Sequence, residues 1–217
     1  MKRIFLALFL FISDGLAMFL FKHFPSFFFP SYRVFSKKWI GFLSSLNSVF
    51  PFAIWDIGAL LLFVAAIASL LYTILKKKSF LNWFSNSILI VSVLVFVTIW
   101  GWMLNHYAPE LSEELDLKVG EYSFEELYET TEHYLLKAGE YSVQISRDEE
   151  GHALKSDFDQ MAKRAGASYQ KISKLYPVFE GSDDRVKKLS VVGEYLMYNG
   201  IVGMFMPITA EAGVPAS

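Results

Sequence analysis

Three long apolar stretches in the first half of the chain restrict its fold more than any other feature of the sequence. They cover residues 4–21, 54–75 and 83–104. Each is close to the roughly 20 residues that cross a hydrocarbon core about 30 Å thick. Lipid offers no hydrogen-bond partners to the backbone, so each stretch must satisfy its own N–H and C=O groups as a helix. The sequence therefore predicts a mainly α-helical membrane protein that binds the lipid bilayer through an anchor at residues 1–104.

Charged residues divide the chain at residue 105. Residues 1–104 contain nine Lys and Arg side chains and two acidic ones, whereas residues 105–217 contain eleven basic and twenty acidic side chains. The second half is therefore predicted to be an acidic domain in water, without the basic surface on which nucleic-acid binding depends. The chain has no cysteine, which rules out disulfides and thiolate metal ligands.

The positions of the basic residues predict how the chain is oriented. Lys2 and Arg3 precede the first span, and residues 76–78 are three consecutive lysines between the second and third spans. Cytoplasmic loops are enriched in Lys and Arg, so the N-terminus and the triple lysine are expected in the cytoplasm and residues 105–217 outside it. Four basic residues of the first loop oppose this orientation, namely Lys22, Arg33, Lys37 and Lys38.

The loop between the first two spans is predicted to contain an amphipathic helix at residues 31–48, lying at the membrane interface. Its apolar residues recur at helical spacing, while Ser36 and Ser44 fall between them on the polar side. The predicted apolar face consists of Tyr32, Phe35, Trp39, Phe42, Leu43 and Leu46.

Asp14 lies near the middle of the first span, where an isolated carboxylate is expensive and often functional. Two interpretations remain open. Asp14 could belong to a transport pathway, although three spans offer little to enclose one. Alternatively it is a structural residue, either neutral or hydrogen-bonded to a hydroxyl on another span. The candidate hydroxyls are those of Ser69, Ser92 and Thr98.

Two amphipathic helices are predicted in the acidic half. Ser123 and Glu126 have the spacing of a capping box, which begins a first helix of about six turns. A second helix is expected to begin at Ser156 and to end before Pro177. The two are expected to form an antiparallel pair with one shared core, made of Leu127, Leu135, Met161, Tyr169 and Ile172.

The last 30 residues are apolar again. Residues 189–198 are predicted to be a buried helix or strand, and residues 201–209 a strand that follows a turn at Asn199 and Gly200. Pro207 confines this strand to a sheet edge, because proline cannot donate to a ladder. We expect no sheet partner for it in the remaining residues, which suggests that the domain is incomplete at its C-terminus.

No catalytic, cofactor-binding or metal-binding residue is predicted from motifs. The chain has no H-E-x-x-H zinc motif among its histidines, no glycine-rich phosphate loop and no G-x-S-x-G elbow. Glu129 lies one turn before His133 and could orient it, but helical periodicity puts His133 opposite the apolar face, where a solvated side chain is expected. This chain alone is therefore expected to be inactive and to bind no zinc.

Four short motifs follow one another along the chain. They are Tyr32-Arg33, residues 50–57 (FPFAIWDI), residues 100–109 (WGWMLNHYAP) and residues 206–212 (MPITAEA). In this order they resemble the signatures of an uncharacterised bacterial family of multi-pass membrane proteins, a domain of unknown function. Members of that family carry a zincin-type H-E-x-x-H helix directly after the last motif. The resemblance implies a bacterial cytoplasmic (inner) membrane, and the positions of the basic residues predict an extracytoplasmic C-terminal domain.

The resemblance also implies a partial zincin-like α+β lobe, whose zinc ligands and general base lie past Ser217. In zincin folds an edge strand runs beside the active-site helix and pairs with an extended peptide by strand addition. The corresponding substrate-strand residues would be Phe205, Pro207, Thr209 and Glu211. The family motif P-F-T-G-E-A-N differs at three positions from residues 207–213 of this chain.

Two functions follow as hypotheses. The first is the N-terminal part of a membrane-anchored zinc metallopeptidase of unknown substrate, which lacks the catalytic motif in these residues. The second is a non-enzymatic protein of the bacterial envelope that acts as an interaction or sensor module.

Overall fold

The computed structural model describes residues 2–154, 157–179, 186–189 and 191–215. The described chain is mainly helical, as the sequence predicts, with a small sheet near the C-terminus. Its α-helices are α1 (Lys2–His23), α2 (Pro25–Asn47), α3 (Ile54–Leu75), α4 (Phe80–Gly101), α5 (Leu111–Glu114), α6 (Phe124–Ser142), α7 (Phe158–Leu175) and α8 (Gly193–Tyr198). The strands are β1 (Lys187–Leu189), β2 (Met204–Met206) and β3 (Glu211–Pro215), and 3-10 helices cover Met103–Tyr107 and Pro177–Phe179.

Three segments of the described chain are long and apolar enough to cross a membrane, which confirms the predicted spans. They are α1, α3 and Phe80–Tyr107, which joins α4 to the 3-10 helix after it. Many apolar side chains of α3 are exposed, including Leu61 and Phe63. Such a continuous apolar surface on a helix of this length is suited to lipid and not to water. The chain is therefore a multi-pass membrane protein.

Small side chains bring α1 and α4 together. Ala7 on α1 and both Ser85 and Ser92 on α4 are buried. Small residues allow membrane helices to approach closely. Each serine hydroxyl donates to the carbonyl three residues earlier in α4, so its burial leaves no donor unpaired. Nearer the C-terminal ends of both helices, α2 joins the contact in a cluster made of Ala17, Phe21, Phe29, Tyr32, Ile99 and Leu104.

The helix predicted at residues 31–48 is α2 (Pro25–Asn47). Phe35, Phe42 and Leu46 of its predicted apolar face are exposed, and the position of this face at the membrane interface stays a prediction. Next to lipid, small polar residues are the ones that let helices pack and hydrogen-bond. The buried residues of α2 are accordingly Phe29, Tyr32, Ser36, Ser44 and Asn47.

Ser36 and Gly101 hold α2 to the end of α4. The Ser36 hydroxyl accepts a hydrogen bond from Asn105 Nδ2 at 2.8 Å and donates one to the carbonyl of Gly101 at 3.3 Å. Gly101 lies so close to the indole of Trp39 that a Cβ atom there would be 2.7 Å from the indole nitrogen. The glycine of the motif at residues 100–109 is therefore required by close packing.

Asp14 is buried, but the hydrogen bond expected from a hydroxyl is wrong. Neither of its carboxylate oxygens has a hydrogen-bond partner among the residues that the structure describes. Ser69, Ser92 and Thr98 donate instead to carbonyl oxygens of their own helices. These carbonyls lie within reach of any serine or threonine three or four residues later, so the local bond forms without a packing partner. The neutral form of Asp14 stays a prediction.

The described chain divides by contacts into two compact units. One comprises Met1–Pro109 and Ala162–Ser217, and the other Glu110–Met161. These units are defined by contacts between residues. The predicted boundary at residue 105 was instead defined by a change in composition and charge. The second unit contains α6, and its predicted capping box is confirmed. The Glu126 N–H donates to the Ser123 hydroxyl at 3.2 Å, and the Ser123 N–H donates to the Glu126 carboxylate at 2.7 Å.

Both predicted amphipathic helices exist, as α6 and α7. Most of α7 belongs to a different unit from α6, so their shared core stays a prediction. No residue of either helix is buried, and Leu135 is 67% exposed. Amphipathic periodicity identifies an apolar face without showing what covers it. The expected start of the second helix at Ser156 lies outside the described residues. The residues expected in the core are all exposed, namely Leu127, Leu135, Met161, Tyr169 and Ile172.

The sheet has the order β1-β3-β2, with β3 parallel to β1 and antiparallel to β2. The predicted edge strand is confirmed, but it is shorter than residues 201–209, because Pro207 begins the turn that leads into β3. The expectation that it lacks a sheet partner is wrong. Met204 pairs with Gly213 and Met206 with Glu211. Strand β3 was missed because its sequence, EAGVP, has little β-propensity and takes its stability from its neighbours.

Residues 189–198 are only partly buried. Leu189 ends β1 and Leu196 lies in α8, and both side chains are buried. Tyr195 and Tyr198, also in α8, are exposed. The segment is therefore neither of the two predicted alternatives over its whole length, since it contains the end of a strand and a short helix.

Gly101→Ala is expected to destabilise the folded chain, because its Cβ atom would clash with the Trp39 indole. Overpacking of this kind costs about 1–3 kcal/mol. Thermal unfolding in detergent, followed by circular dichroism, should therefore show a lower Tm than the wild type.

Gly58→Ala is the matched control, because a Cβ atom at this helical position has no neighbour within 4 Å. Alanine stabilises a helix interior by about 0.8–1.0 kcal/mol over glycine. The Tm of Gly58→Ala should be unchanged or raised. If both variants unfolded at the wild-type temperature, the close contact between α2 and α4 would be wrong.

Candidate functional site: the junction between α3 and the C-terminal sheet

Glu211, the first residue of β3, binds the start of the membrane helix α3. Its Oε1 atom accepts a hydrogen bond from the N–H of Ile54 and its Oε2 atom one from the N–H of Trp55, both at 3.0 Å. The first N–H groups of a helix have no partner within the helix, and the helix dipole favours a negative charge there. Ala53, at the N-cap position, provides no side-chain acceptor. A residue distant in sequence therefore caps α3.

Lys187 on β1 neutralises the same carboxylate. Its Nζ atom lies 2.5 Å from Glu211 Oε1, and the side chains of both residues are buried. Nζ also donates to the carbonyl of Asn47 at 2.7 Å, and the Asn47 side-chain amide donates to the carbonyl of Thr209. Buried charges are tolerated only when they are paired and hydrogen-bonded. This ion pair meets both conditions.

Asp56, in the first turn of α3, makes the reciprocal contact. It is buried, and its carboxylate accepts hydrogen bonds from the N–H of Val191 at 2.7 Å and of Val192 at 3.2 Å. These two residues precede α8, and Val192 at the N-cap position has no side-chain acceptor. The C-terminal segment thus caps α3 through Glu211, and α3 in turn binds the residues that lead into α8 through Asp56. We call Asn47, residues 53–56, Lys187, residues 191–192 and Glu211 the junction.

Apolar packing surrounds these hydrogen bonds. Ala53 and Leu189 are buried against each other in one cluster, and Phe52 forms a parallel β-bridge with Lys188. Gly213 on β3 faces the Leu189 side chain, which would clash with any Cβ atom at that position. The remaining members of the cluster are Trp55, Val192, Leu196 and Met204.

The surroundings of Glu211 favour its ionised form. Burial by itself raises the pKa of the carboxyl, because the charge loses solvation. The hydrogen bonds from Lys187 and from the N–H groups of Ile54 and Trp55 lower it, and together they hold the pKa of Glu211 below its usual value of 4.5.

The four residues predicted for a substrate strand do not lie in one strand. Phe205 is in β2, where its ring is 6.0 Å from that of Trp102. Pro207 and Thr209 lie in the turn after β2, where the Thr209 carbonyl accepts a hydrogen bond from the side-chain amide of Asn47. Glu211 is buried in the junction. Of the four, only Phe205 lies on the strand at the open edge of the sheet.

The histidines do not form a site in the described part of the chain. His23, His106, His133 and His152 are all exposed, as expected for a solvated His133. His152 lies 3.5 Å from Asp148 and 3.6 Å from Glu150 in an exposed turn. No group of three or more His, Cys, Asp and Glu side chains is placed to hold a metal ion among the described residues.

The chain matches the model of a known protein family. The family described as "Protein of unknown function (DUF3810)" matches residues 32–217. The chain belongs to this family. The match to DUF3810 begins at Tyr32, the start of the first motif, and includes the whole junction. No curated protein and no solved structure matches the chain significantly.

Lys187, Asn47 and Asp56 were not predicted as site residues. Lys187 stands in a charged segment that is typical of a solvated surface, and Asn47 ends an amphipathic helix. Asp56 offered one signal, because it is an acidic residue in a segment that is otherwise strongly apolar. The sequence alone does not show that the motifs at residues 50–57 and 206–212 meet in the fold.

Glu211→Gln is expected to destabilise the chain, because it leaves the Lys187 ammonium buried without a counter-charge. Breaking a buried ion pair by removing one partner costs about 3–5 kcal/mol. Thermal unfolding of the detergent-solubilised chain should show this as a large drop in Tm. The double variant Lys187→Met/Glu211→Gln removes the unpaired charge and should recover part of the loss.

Glu194→Gln is the control for Glu211→Gln, since it makes the same change in charge at an exposed position of α8. Its Tm should stay within experimental error of the wild type. Equal Tm values for Glu194→Gln and Glu211→Gln would mean that the ion pair does not stabilise the junction.

The stability that Glu211 provides should depend on pH in the acidic range. The pKa of Glu211 is lower in the folded chain than its ordinary value of 4.5, so the stabilisation is complete above that value and is lost as the pH falls through the folded-state pKa. The Tm difference between wild type and Glu211→Gln should therefore be constant near neutral pH and shrink as the pH is lowered below about 4.5. Because both proteins contain the other carboxylates, the effect of those groups on Tm is the same in both and cancels in the difference. A pH-independent difference would contradict this assignment.

Proposed function

We propose that this chain is the membrane-anchored, polypeptide-binding part of a zinc metallopeptidase of the zincin type, whose substrate is a polypeptide of unknown sequence. In this proposal β2 binds an extended segment of the substrate by strand addition. The observation that carries the proposal is the position of β2. It is an outer strand of a sheet whose central strand is bound by Glu211 to the start of a membrane helix.

The free edge of β2 offers backbone groups to a ligand. In an antiparallel ladder, alternate residues turn their N–H and C=O groups toward the partner strand, and the others turn them away. Within the described chain β2 pairs with β3 alone. Either Phe205 or its two neighbours therefore present both backbone groups to the open side. Such main-chain hydrogen bonds give affinity with little dependence on the ligand's sequence.

The described residues do not fit a zinc site. A catalytic zinc needs three protein ligands and an open position for water, and these residues contain no such group of side chains. The chain's own contribution in this proposal is to bind and hold the substrate segment. The zinc ligands and the general base would come from the H-E-x-x-H segment that the family resemblance implies after residue 217.

The sheet lies on the extracytoplasmic side of a bacterial inner membrane in this proposal. Four residues join α3 to α4, so the two spans form a hairpin, and the junction lies at the opposite end of α3 from residues 76–78. The triple lysine favours the cytoplasm for its own end. The substrate would then be met outside the cytoplasm.

The exposed apolar faces of α6 and α7 favour a second function, a non-enzymatic interaction or sensor module of the bacterial envelope. A partner protein would cover these faces. The coding sequence beyond codon 217 distinguishes the two functions. An H-E-x-x-H motif directly after it would support the peptidase, and a stop codon would support the module.

Photo-crosslinking tests the peptide-binding function. A benzoylphenylalanine placed at Val202, which is 82% exposed just before β2, should crosslink to a soluble, biotinylated decapeptide of alternating valine and threonine. Met204→Pro and Phe205→Pro are then made separately. One of them removes an outward N–H and leaves the ladder to β3 intact, and it should reduce crosslinking at least about fivefold at an unchanged Tm.

Benzoylphenylalanine at Lys77, which follows α3 at its other end, is the control position for nonspecific labelling. Crosslinking that is equal at positions 77 and 202, or that neither proline variant reduces, would contradict strand addition at β2.

A further inference from the structure

We infer that the segment bound at β2 is juxtamembrane: an extended stretch within a few residues of the point where another polypeptide enters the same bilayer. This inference names the substrate class and rests on the proposed strand addition. It follows from how the junction fixes the height of the sheet relative to the membrane spans.

The first fixed point is the start of α3. Glu211 binds the N–H groups of Ile54 and Trp55, the first two residues of a span that continues without interruption to Leu75. The carboxylate of a β3 residue therefore lies in hydrogen-bond contact with the end of a transmembrane helix. Strand β3 cannot stand away from the membrane surface on a flexible stalk.

The second fixed point is the C-terminal end of α4. Trp102 follows α4 directly, and its ring centroid is 6.0 Å from that of Phe205 on β2. Tryptophan is enriched where transmembrane helices meet the lipid headgroups. Contacts from two different spans, one to β3 and one to β2, thus hold the sheet at the membrane boundary.

Strand spacing then limits how far a bound segment can be from the membrane. Neighbouring strands lie about 4.7–4.9 Å apart, so a segment added to β2 lies about 10 Å from β3 in whatever direction the sheet points. The headgroup region on each side of a bilayer is itself roughly 5–8 Å thick. Since an extended residue covers about 3.3–3.6 Å, a linker of about three to six residues reaches from a membrane anchor to this edge.

Because the junction is rigid, the sheet stays close to the membrane and favours ligands that are anchored in the same membrane. The junction is held by four backbone N–H groups that bind two buried carboxylates and by the Lys187–Glu211 ion pair. A ligand confined to the same membrane gains effective concentration at this edge, and the gain falls as the linker grows longer than the span it must cover. A soluble peptide has no such gain. Strand β2 has only three residues and offers few hydrogen bonds to a ligand. Its binding therefore depends strongly on the higher effective concentration of a membrane-anchored ligand.

The experiment uses the chain with benzoylphenylalanine at Val202, reconstituted in phospholipid vesicles. Three probes carry the same valine–threonine decapeptide in equal total amounts. One is attached to a polyleucine transmembrane helix by a linker of three residues, one by a glycine–serine linker of 25 residues, and one is free in solution. Labelling from position 77 provides the background for each probe.

The short-linker probe is expected to crosslink at least about tenfold more than the free peptide, with the long-linker probe between them. Equal crosslinking of the free peptide and the short-linker probe would overturn the juxtamembrane class and leave strand addition standing. Equal crosslinking of both tethered probes would also overturn it, because no distance limit would then exist. Background labelling with all three probes would overturn strand addition itself, and this inference with it.

Discussion

The rest of the C-terminal sheet depends on the hydrogen bonds between Glu211 and the first turn of α3. A membrane helix begins with N–H groups that its own backbone cannot satisfy, and Ala53 supplies no acceptor for them. Glu211 accepts two of these N–H groups and at the same time forms a buried ion pair with Lys187. The strands are only three to five residues long, and so small a sheet is not stable alone. Its stability comes from the helix that it caps.

This contact brings together the distant motifs at residues 50–57 and 206–212 of this chain. Glu211 and the segment that it caps are 157 residues apart in sequence but share one hydrogen-bond network. Asp56 adds the reciprocal bonds to the start of α8, and Gly101 gives α2 access to the end of α4. In the proposed function, these residues position the edge strand at the membrane boundary. The proposed substrate class, a polypeptide anchored in the same bilayer, follows from this position and not from a pocket.

The parts of the fold that depend on local chemistry were predictable from the sequence. Lipid requires long apolar helices, so the three spans were correctly predicted, and the capping box at Ser123 depends on residues three apart. The junction was not predictable, because a glutamate after a turn has the same local pattern whether it is solvated or buried against a helix 157 residues away. The packing of α2 was not predictable for a different reason. Ser36 and Ser44 are buried, because small polar residues allow membrane helices to pack closely, but the period of the sequence does not show which neighbour covers them.

The most direct test of the junction is an engineered disulfide between position 188 on β1 and position 52, just before α3. Phe52 and Lys188 form a β-bridge, and strands about 4.7–4.9 Å apart fall within the Cα separation that a disulfide allows. Because the chain has no cysteine of its own, Phe52→Cys/Lys188→Cys can be oxidised in native membranes without competing thiols. The disulfide should form nearly completely, whereas the control Lys77→Cys/Lys188→Cys should stay reduced, since α3 separates its cysteines by about 30 Å. Free thiols in both double variants would show that the sheet does not bind the start of α3.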